Sequence, residues 1–168
     1  MGTLIDRERV RVERTSRSPS ETRRLGERIG ARLLSGDVLA LSGDLGAGKT
    51  QLARGICRGA GVPDDEIASP TFAIVATYRG RIPVNHADLY RIGDEDELQA
   101  TGFPDLVGRV GASVVEWADR FPGALPAERL EIQLAHDPVH PRSRRLVVTG
   151  IGARHAALAR LLEPRRPV

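Results

Sequence analysis

The chain has 168 residues, a formal net charge of +3 and one cysteine, and its isoelectric point is about 9.7. This length predicts a single domain over 1–168, with flexible tails at 1–8 and 163–168. A lone cysteine excludes an internal disulfide, and the longest uncharged stretch, 67–78, is too short to cross a bilayer. Because the start also lacks the apolar core of a signal peptide, we expect a soluble cytoplasmic protein without membrane contact.

Two elements are predicted in the first part of the chain. Alternating polarity over 9–13 favours an edge strand. Ser18 and Glu21 have the spacing of a capping box, with proline at the first helical position, so a helix should begin there and continue to about Leu34. The apolar stripe of that helix consists of Leu25, Ile29 and Leu33.

A glycine-rich loop follows the next predicted strand. The apolar run 38–42 is typical of a buried parallel strand. Residues 43–50 then read Gly-Asp-Leu-Gly-Ala-Gly-Lys-Thr, which fills every position of the phosphate-binding pattern G-x-x-x-x-G-K-[ST]. Apolar residues at helical spacing predict a helix over 50–58, with Cys57 as a buried, inert thiol on its apolar side. Strand, loop and helix in this order predict a nucleoside triphosphate site.

The loop contains Lys49, the only lysine among 25 basic residues. Its compact ammonium suits a narrow gap between backbone and phosphate in which a planar guanidinium would not fit. We expect Lys49 to face solvent while the site is empty and to bridge the β- and γ-phosphates of a bound nucleotide, and the Thr50 hydroxyl to bind Mg²⁺. The predicted nucleotide-binding residues of the loop are Gly43, Leu45, Gly46, Ala47, Gly48, Lys49 and Thr50.

The rest of the chain continues the alternation of strands and helices. The remaining predicted strands cover 72–78, 82–86, 113–116, 130–134 and 146–149. The remaining predicted helices cover 94–101 and 153–162. This order predicts an α/β fold of the P-loop NTPase type: one domain with a central, mostly parallel sheet flanked by helices, and a late β-hairpin.

A P-loop needs an acidic partner for its metal, usually at the end of a neighbouring strand. Two predicted strands lead to such an acid, Asp88 and Glu116. From the residues alone, either carboxylate could hold Mg²⁺ while the other positions the attacking water. His86, two residues before the first acid, is expected to satisfy a backbone carbonyl rather than to take part in catalysis.

Four motifs, in this order and spacing, resemble the TsaE family, the bacterial ATPases of tRNA threonylcarbamoyladenosine biosynthesis. The motifs are residues 43–50, Ser-Pro-Thr-Phe at 69–72, His-Ala-Asp-Leu-Tyr-Arg at 86–91, and Glu116-Trp117. The resemblance extends from about Ser18 to the late hairpin. It implies a P-loop α/β fold and a protein that hydrolyses ATP, slowly when alone. ATP hydrolysis would reset the TsaB–TsaD pair, which attaches threonylcarbamoyl to adenosine 37 of tRNAs that read ANN codons, and tRNA would reach this chain indirectly through that complex.

The resemblance also implies roles for individual residues. Lys49 and Thr50 would hold phosphate and Mg²⁺, Glu116 would be the metal acid, and Asp88 a catalytic or outer-sphere acid. Residues 69–71 would form a switch-like loop in which Thr71 approaches the nucleotide. Trp117 is open to two interpretations, core packing or nucleotide contact, and is counted with the nucleotide-binding residues. Gln51, where a second threonine is common, departs from the family pattern.

Other classes of protein remain open at this point. A small-molecule kinase is the main alternative, with the arginines of 142–145 as a lid, and a structural subunit with a relict nucleotide site is a third class. Guanine recognition through N-K-x-D is excluded because the only lysine belongs to the P-loop. The basic residues are interleaved with acids and lack stacking aromatics, which favours a solvated surface over an RNA groove.

Overall fold

The computed structural model describes residues 8–67 and 74–164, which contain one mixed sheet with helices on both faces. The strands are β1 (Arg9–Ser16), β2 (Val38–Ser42), β3 (Val75–Arg79), β4 (Pro83–Asp88), β5 (Ala112–Glu116), β6 (Arg129–His136) and β7 (Arg144–Ile151). The helices are α1 (Pro19–Gly30), α2 (Lys49–Gly59), α3 (Glu95–Ala100), α4 (Phe103–Leu106) and α5 (Ala153–Arg160), with 3₁₀ turns at Ala118–Arg120 and Pro122–Ala124. No helix in these ranges is long and apolar enough to span a membrane.

The sheet has a parallel centre and antiparallel sides. Its strand order is β1-β7-β6-β2-β5-β4-β3. β2 lies between β5 and β6 and is parallel to both, and β5 is also parallel to β4. The outer pairs β1–β7, β6–β7 and β3–β4 are antiparallel. The predicted α/β fold is therefore confirmed, including the late hairpin β6–β7 and the edge position of β1. The sheet is mixed rather than mostly parallel, because the strands added on both sides of its centre are antiparallel.

Side chains of β2 alternate between two hydrophobic cores, as expected for a strand covered on both faces. Leu39 and Leu41 pack with the residues of α1, α2 and α5, while Val38 and Ala40 pack with those that follow β4 and β5. Cys57 lies in the first core, where burial raises the pKa of its thiol to about 12, so the sulfur stays protonated.

Helix α1 ends earlier than predicted, at Gly30 instead of about Leu34. The predicted cap is present, since the Ser18 hydroxyl accepts the N–H of Glu21 at 3.1 Å. At the other end, the Arg81 guanidinium donates to the carbonyls of Gly30 and Leu33 at 3.2 and 3.1 Å. These carbonyls are thus satisfied by a distant side chain, and the chain leaves the helix there.

Strand β3 and helix α4 also differ from what the sequence predicts. The strand predicted over 72–78 appears as β3, Val75–Arg79, and 72–73 lie outside the described residues. Helix α4 was not predicted, because four residues are too few to show a helical period. The tails predicted at 1–8 and 163–168 fall mostly outside the described residues and stay a prediction.

A buried histidine connects α5 to the start of β2. Nε2 of His155 accepts the N–H of Val38 at 3.3 Å, and the side chain is 6% exposed. Burial lowers the pKa of His155 below its usual 6.5, and the charge of Arg154 lowers it further, while Asp37 and Glu128 oppose the shift. The imidazole is therefore held in its neutral form by the fold.

This lowered pKa predicts a pH-dependent term in stability. Below the usual pKa of 6.5, the unfolded chain binds a proton that the folded His155 resists. The contribution of neutral His155 to the free energy of unfolding is therefore complete above pH 6.5 and is lost as the pH falls below that value. His155→Gln keeps an acceptor for Val38 but cannot titrate. In urea unfolding between about pH 8 and pH 5, we expect the free-energy difference between wild type and variant to shrink by at most about 1.4 kcal/mol per pH unit. A constant difference would contradict this.

Candidate functional site

The carboxyl ends of β2, β4 and β5 meet at one edge of the sheet. The P-loop follows β2, Asp88 ends β4, and Glu116 ends β5. Glu116 is in register with Leu41 on one side and with Asp88 on the other. The parallel pairing of three strands therefore brings the predicted loop and both predicted acids together.

A cavity of about 430 Å³ lies at this edge. Of the predicted site residues, it is lined by Leu45, Gly46, Gly48, Lys49, Thr50, Asp88, Glu116 and Trp117. Other residues also line it: Pro19, Thr22, Gln51 and Tyr90, which sequence reasoning did not assign to the site, and Arg142 and Arg144, which only the kinase alternative placed there. Gly43 and Ala47 shape the loop without lining the cavity, and Thr71 lies outside the described residues.

The loop approaches β6 so closely that Gly43 has no room for a side chain. Its φ is +141°, and a Cβ there would overlap the carbonyl oxygen of Leu134. Gly48 also has a positive φ, +103°, and immediately precedes helix α2. Ala47, between them, has a fully buried side chain, whereas Leu45 is exposed. The side chain of Ala47 thus anchors the loop to the core. The loop bends at Gly43 and Gly48, where the backbone conformation favours glycine.

Lys49 is folded back onto its own loop. Nζ donates to the carbonyls of Gly43 and Asp44 at 2.5 and 2.9 Å, and it lies 3.8 Å from the ring centroid of Trp117. The expectation that this lysine faces solvent is wrong, since the residue is only 5% exposed. Burial lowers the pKa of Lys49, while the nearby carboxylate of Glu116 opposes the shift. A ligand that takes up this ammonium must replace these contacts.

Trp117 covers the ammonium from a strained backbone position. It is the one non-glycine residue with a positive φ among 8–67 and 74–164, at φ 57° and ψ 36°. Left-handed backbone costs an ordinary residue about 1 kcal/mol. Its ring stacks at a tilt on Tyr90, with centroids 4.8 Å apart. Trp117 therefore contacts both the site and the second core, so its two predicted roles are compatible.

A buried carboxylate joins the loop helix to β4. The Thr50 hydroxyl donates to Oε2 of Glu116 at 3.1 Å, and Nε2 of His86 lies 3.0 Å from Oε1. The side chains of His86 and Glu116 are 1% and 3% exposed. The expectation that His86 satisfies a backbone carbonyl is wrong, because its partner is this carboxylate.

Asp88 has a different environment from Glu116, although the two are neighbours across β4 and β5. It is partly exposed, and its Oδ1 accepts the N–H of Tyr90 at 3.0 Å. Partial burial raises the pKa of Asp88, and the charge of Glu116 adds to this, while the Tyr90 amide opposes it. The site thus has one enclosed acid with side-chain partners and one acid at the cavity surface.

The three arginines of 142–145 have different surroundings. Arg144 donates to the carbonyls of Ala47 and Gly46 at 3.1 and 3.2 Å and so supports the P-loop. Arg142 lines the cavity and is exposed. Arg145 lies 3.7 Å from Glu13 of β1. No sequence pattern pointed to the Arg144 contact, because it depends on β7 passing beside the loop.

Comparisons with known proteins identify the family. The family model described as "Threonylcarbamoyl adenosine biosynthesis protein TsaE" matches residues 16–146. This chain belongs to the TsaE family. Relatives named tRNA threonylcarbamoyladenosine biosynthesis protein TsaE include one from Treponema pallidum, 38% identical over 119 residues, which are 71% of this chain and 87% of the relative. Another, from Bacillus subtilis, is 37% identical over 142 residues, which are 84% of this chain and 87% of the relative.

A solved structure agrees with this membership. The crystal structure of Bacillus subtilis YdiB is similar to this TsaE family member with a TM-score of 0.73 and 31% identity, over 92% of this chain and 95% of that chain. The resemblance seen in the four sequence motifs is therefore confirmed, and so is the P-loop NTPase fold. The family is named for the biosynthesis of threonylcarbamoyladenosine in tRNA.

The contacts of Arg144 predict that it stabilises the P-loop of this TsaE family member. We expect Arg144→Ala to lower the free energy of unfolding by about 1–2 kcal/mol and to speed hydrogen exchange of the amides in 44–48, because two loop carbonyls lose a charged donor. Arg145→Ala is the matched control. Its ion pair with Glu13 is exposed, so its effect should stay below about 0.5 kcal/mol. Equal effects in urea unfolding would contradict the support of the loop by Arg144.

Proposed function

We propose that this chain is an ATPase required for threonylcarbamoylation of adenosine 37 in tRNAs that read ANN codons, and that it hydrolyses ATP to reset the TsaB–TsaD complex. One observation carries the proposal: a complete P-loop and two acids of unlike environment share one cavity in a member of the TsaE family. The P-loop supplies phosphate binding, and family membership supplies the tRNA modification.

Nucleotide binding is supported by the geometry of the loop. Gly48 immediately precedes α2, so a phosphate held by the loop would lie at the positive end of the helix dipole. Lys49 would exchange the carbonyls of its own loop for the β- and γ-phosphates. Because those carbonyls and Trp117 already satisfy the ammonium, only the difference between the two sets of contacts contributes to affinity.

The residues present fit a magnesium ion. Thr50 and Glu116 offer a hydroxyl and a carboxylate 3.1 Å apart, and Mg²⁺ prefers oxygen ligands. Among residues 8–67 and 74–164 there is no group of three or more His, Cys, Asp or Glu able to hold a metal ion. This suits an ion that takes its other ligands from phosphate and water. Bound there, Mg²⁺ would neutralise charge on the phosphates.

We assign to Asp88 the role of the general base that positions the attacking water. It lines the cavity and is partly exposed, so water can reach it, whereas Glu116 is enclosed by Thr50 and His86. Burial raises the pKa of Asp88, which brings it closer to the operating pH of a general base. Thr71 and the rest of the loop 69–71 are proposed to approach the γ-phosphate, which is an expectation from the family motif.

A small-molecule kinase is less well supported. That alternative assigned the arginines of 142–145 to a lid, but Arg144 is bonded to the P-loop and Arg145 lies near Glu13. Arg142 and Arg144 both line the cavity, but the guanidinium of Arg144 is held by loop carbonyls, so Arg142 is the arginine left to act as a lid. A single exposed arginine does not enclose an acceptor, so the ATPase is favoured.

The assigned roles predict different defects for the two acids. We expect Glu116→Gln to weaken ATP binding in Mg²⁺ by at least about tenfold, because a metal ligand loses its charge. Asp88→Asn should change ATP affinity by less than about threefold and lower kcat by about 10² to 10⁴, because a general base is lost. Calorimetric titration with ATP and steady-state phosphate release measure the two quantities. The opposite pattern would exchange the roles.

The proposed function predicts that phosphate release is slow for the chain alone and rises when TsaB and TsaD are added. A partner that closes the open cavity and adds a charge-stabilising contact can raise such a rate by about 10³ to 10⁵. Phosphate release with and without the two proteins tests this, with Lys49→Ala as the inactive blank. Equal rates, with complex formation shown by gel filtration, would exclude partner-gated hydrolysis. Phosphate transfer to a metabolite by the chain alone would favour the kinase.

A further inference from the structure

His86 contacts the site without touching the cavity. It is absent from the residues that line the cavity, and its side chain is 1% exposed. Among the described residues, the side chain makes one hydrogen bond, between Nε2 and Oε1 of Glu116. Among its side-chain contacts, the one that leads to the cavity is therefore the hydrogen bond to Glu116.

The two oxygens of Glu116 are held by different elements. Oε1 is bonded to His86 on β4, and Oε2 accepts the hydroxyl of Thr50 at the start of α2. A glutamate has three side-chain torsions, and a carboxylate bound at one oxygen can still rotate. Contacts on both oxygens fix its plane, so the Glu116 oxygen nearest the P-loop has a defined position.

The chemistry of the pair assigns the shared proton. An ionised carboxylate only accepts hydrogen bonds, so Nε2 of His86 must be the donor. Nδ1 of the same ring is buried without a hydrogen-bond partner among the described residues. A proton on that nitrogen would be an unsatisfied buried donor, which is unfavourable. A proton on Nε2 therefore fits this pocket better than a proton on Nδ1.

We propose that His86 is a positioning residue, whose Nε2–H fixes the Glu116 carboxylate in the orientation that serves Mg²⁺ with Thr50. The inference rests on the proposed function, because the orientation of Glu116 matters to the ligand only if the site binds magnesium and nucleotide. The competing explanation is that His86 only completes the core, where its ring lies 6.2 Å from that of Tyr78. If His86 positions Glu116, its replacement reduces the effect of Mg²⁺ on ATP affinity. If His86 only completes the core, its replacement leaves that effect unchanged.

The test uses the ratio of the ATP dissociation constant in EDTA to that in Mg²⁺, measured by calorimetry. Damage to the fold changes both constants together and leaves the ratio unchanged. We expect His86→Leu, which lacks the donor, to reduce the ratio by about tenfold or to bring it to one, since loss of such outer contacts weakens metal binding by about 10- to 100-fold. His86→Gln can place an amide donor where Nε2 lies, so its ratio should stay close to that of wild type.

His155→Leu is the matched control. It also removes a buried histidine, but the Nε2 atom of that histidine contacts Val38 and Asp37 at the start of β2, the end opposite to the P-loop. We expect this variant to melt at a lower temperature than wild type and to keep the wild-type ratio. A reduced ratio in His155→Leu would show that the ratio follows stability, and would overturn the proposal.

Four further outcomes decide the inference. A wild-type ratio in folded His86→Leu, or a ratio in His86→Gln as low as in His86→Leu, would overturn it. If His86→Leu fails to fold, His86→Asn replaces it in the test, because the shorter side-chain amide of asparagine cannot reach Glu116. Equal ratios for His86→Asn and His86→Gln would then overturn the proposal. A ratio of one in the wild-type protein would instead remove the proposed magnesium-dependent function, and with it any role for His86 in that function.

Discussion

The buried carboxylate of Glu116 is the constraint on which the arrangement of the site depends. A carboxylate that is 3% exposed must find hydrogen-bond donors, because an unpaired buried charge is strongly unfavourable. The donors come from Thr50 at the start of α2 and from His86 on β4. One side chain at the end of β5 therefore fixes the relative positions of the P-loop helix and the neighbouring strand.

The same carboxylate contributes to the electrostatics of the other charged groups in the site. Lys49, Asp88 and Glu116 influence one another, since Glu116 opposes the lowering of the pKa of Lys49 and adds to the raised pKa of Asp88. The ammonium is already bound to two loop carbonyls and an indole ring. The Lys49 ammonium is thus satisfied by the protein itself, and on the proposed function a nucleotide would exchange these contacts for its phosphates.

The sequence predicted what local patterns determine. The strand 38–42, the P-loop and the following helix were predictable because apolar runs, glycines and capping residues act within a few positions of the chain. The convergence of Asp88 and Glu116 followed from the general rule that parallel strands carry their sites at their carboxyl ends. The contacts of Arg81, Arg144 and His86 were not predictable, because each joins elements that are distant in sequence and leaves no periodic pattern.

Helix packing explains why residues outside the family motifs line the cavity. Gly26 and Gly30 of α1 face α2 so closely that a Cβ at either would overlap carbonyl oxygens of Leu52 and Ile56. This contact fixes α1 along the side of the P-loop helix. The N-terminus of α1 then lies at the level of the loop, and Pro19 and Thr22 form part of the cavity wall. The shape of the site therefore depends on small residues remote from it, because they set the distance between the two helices.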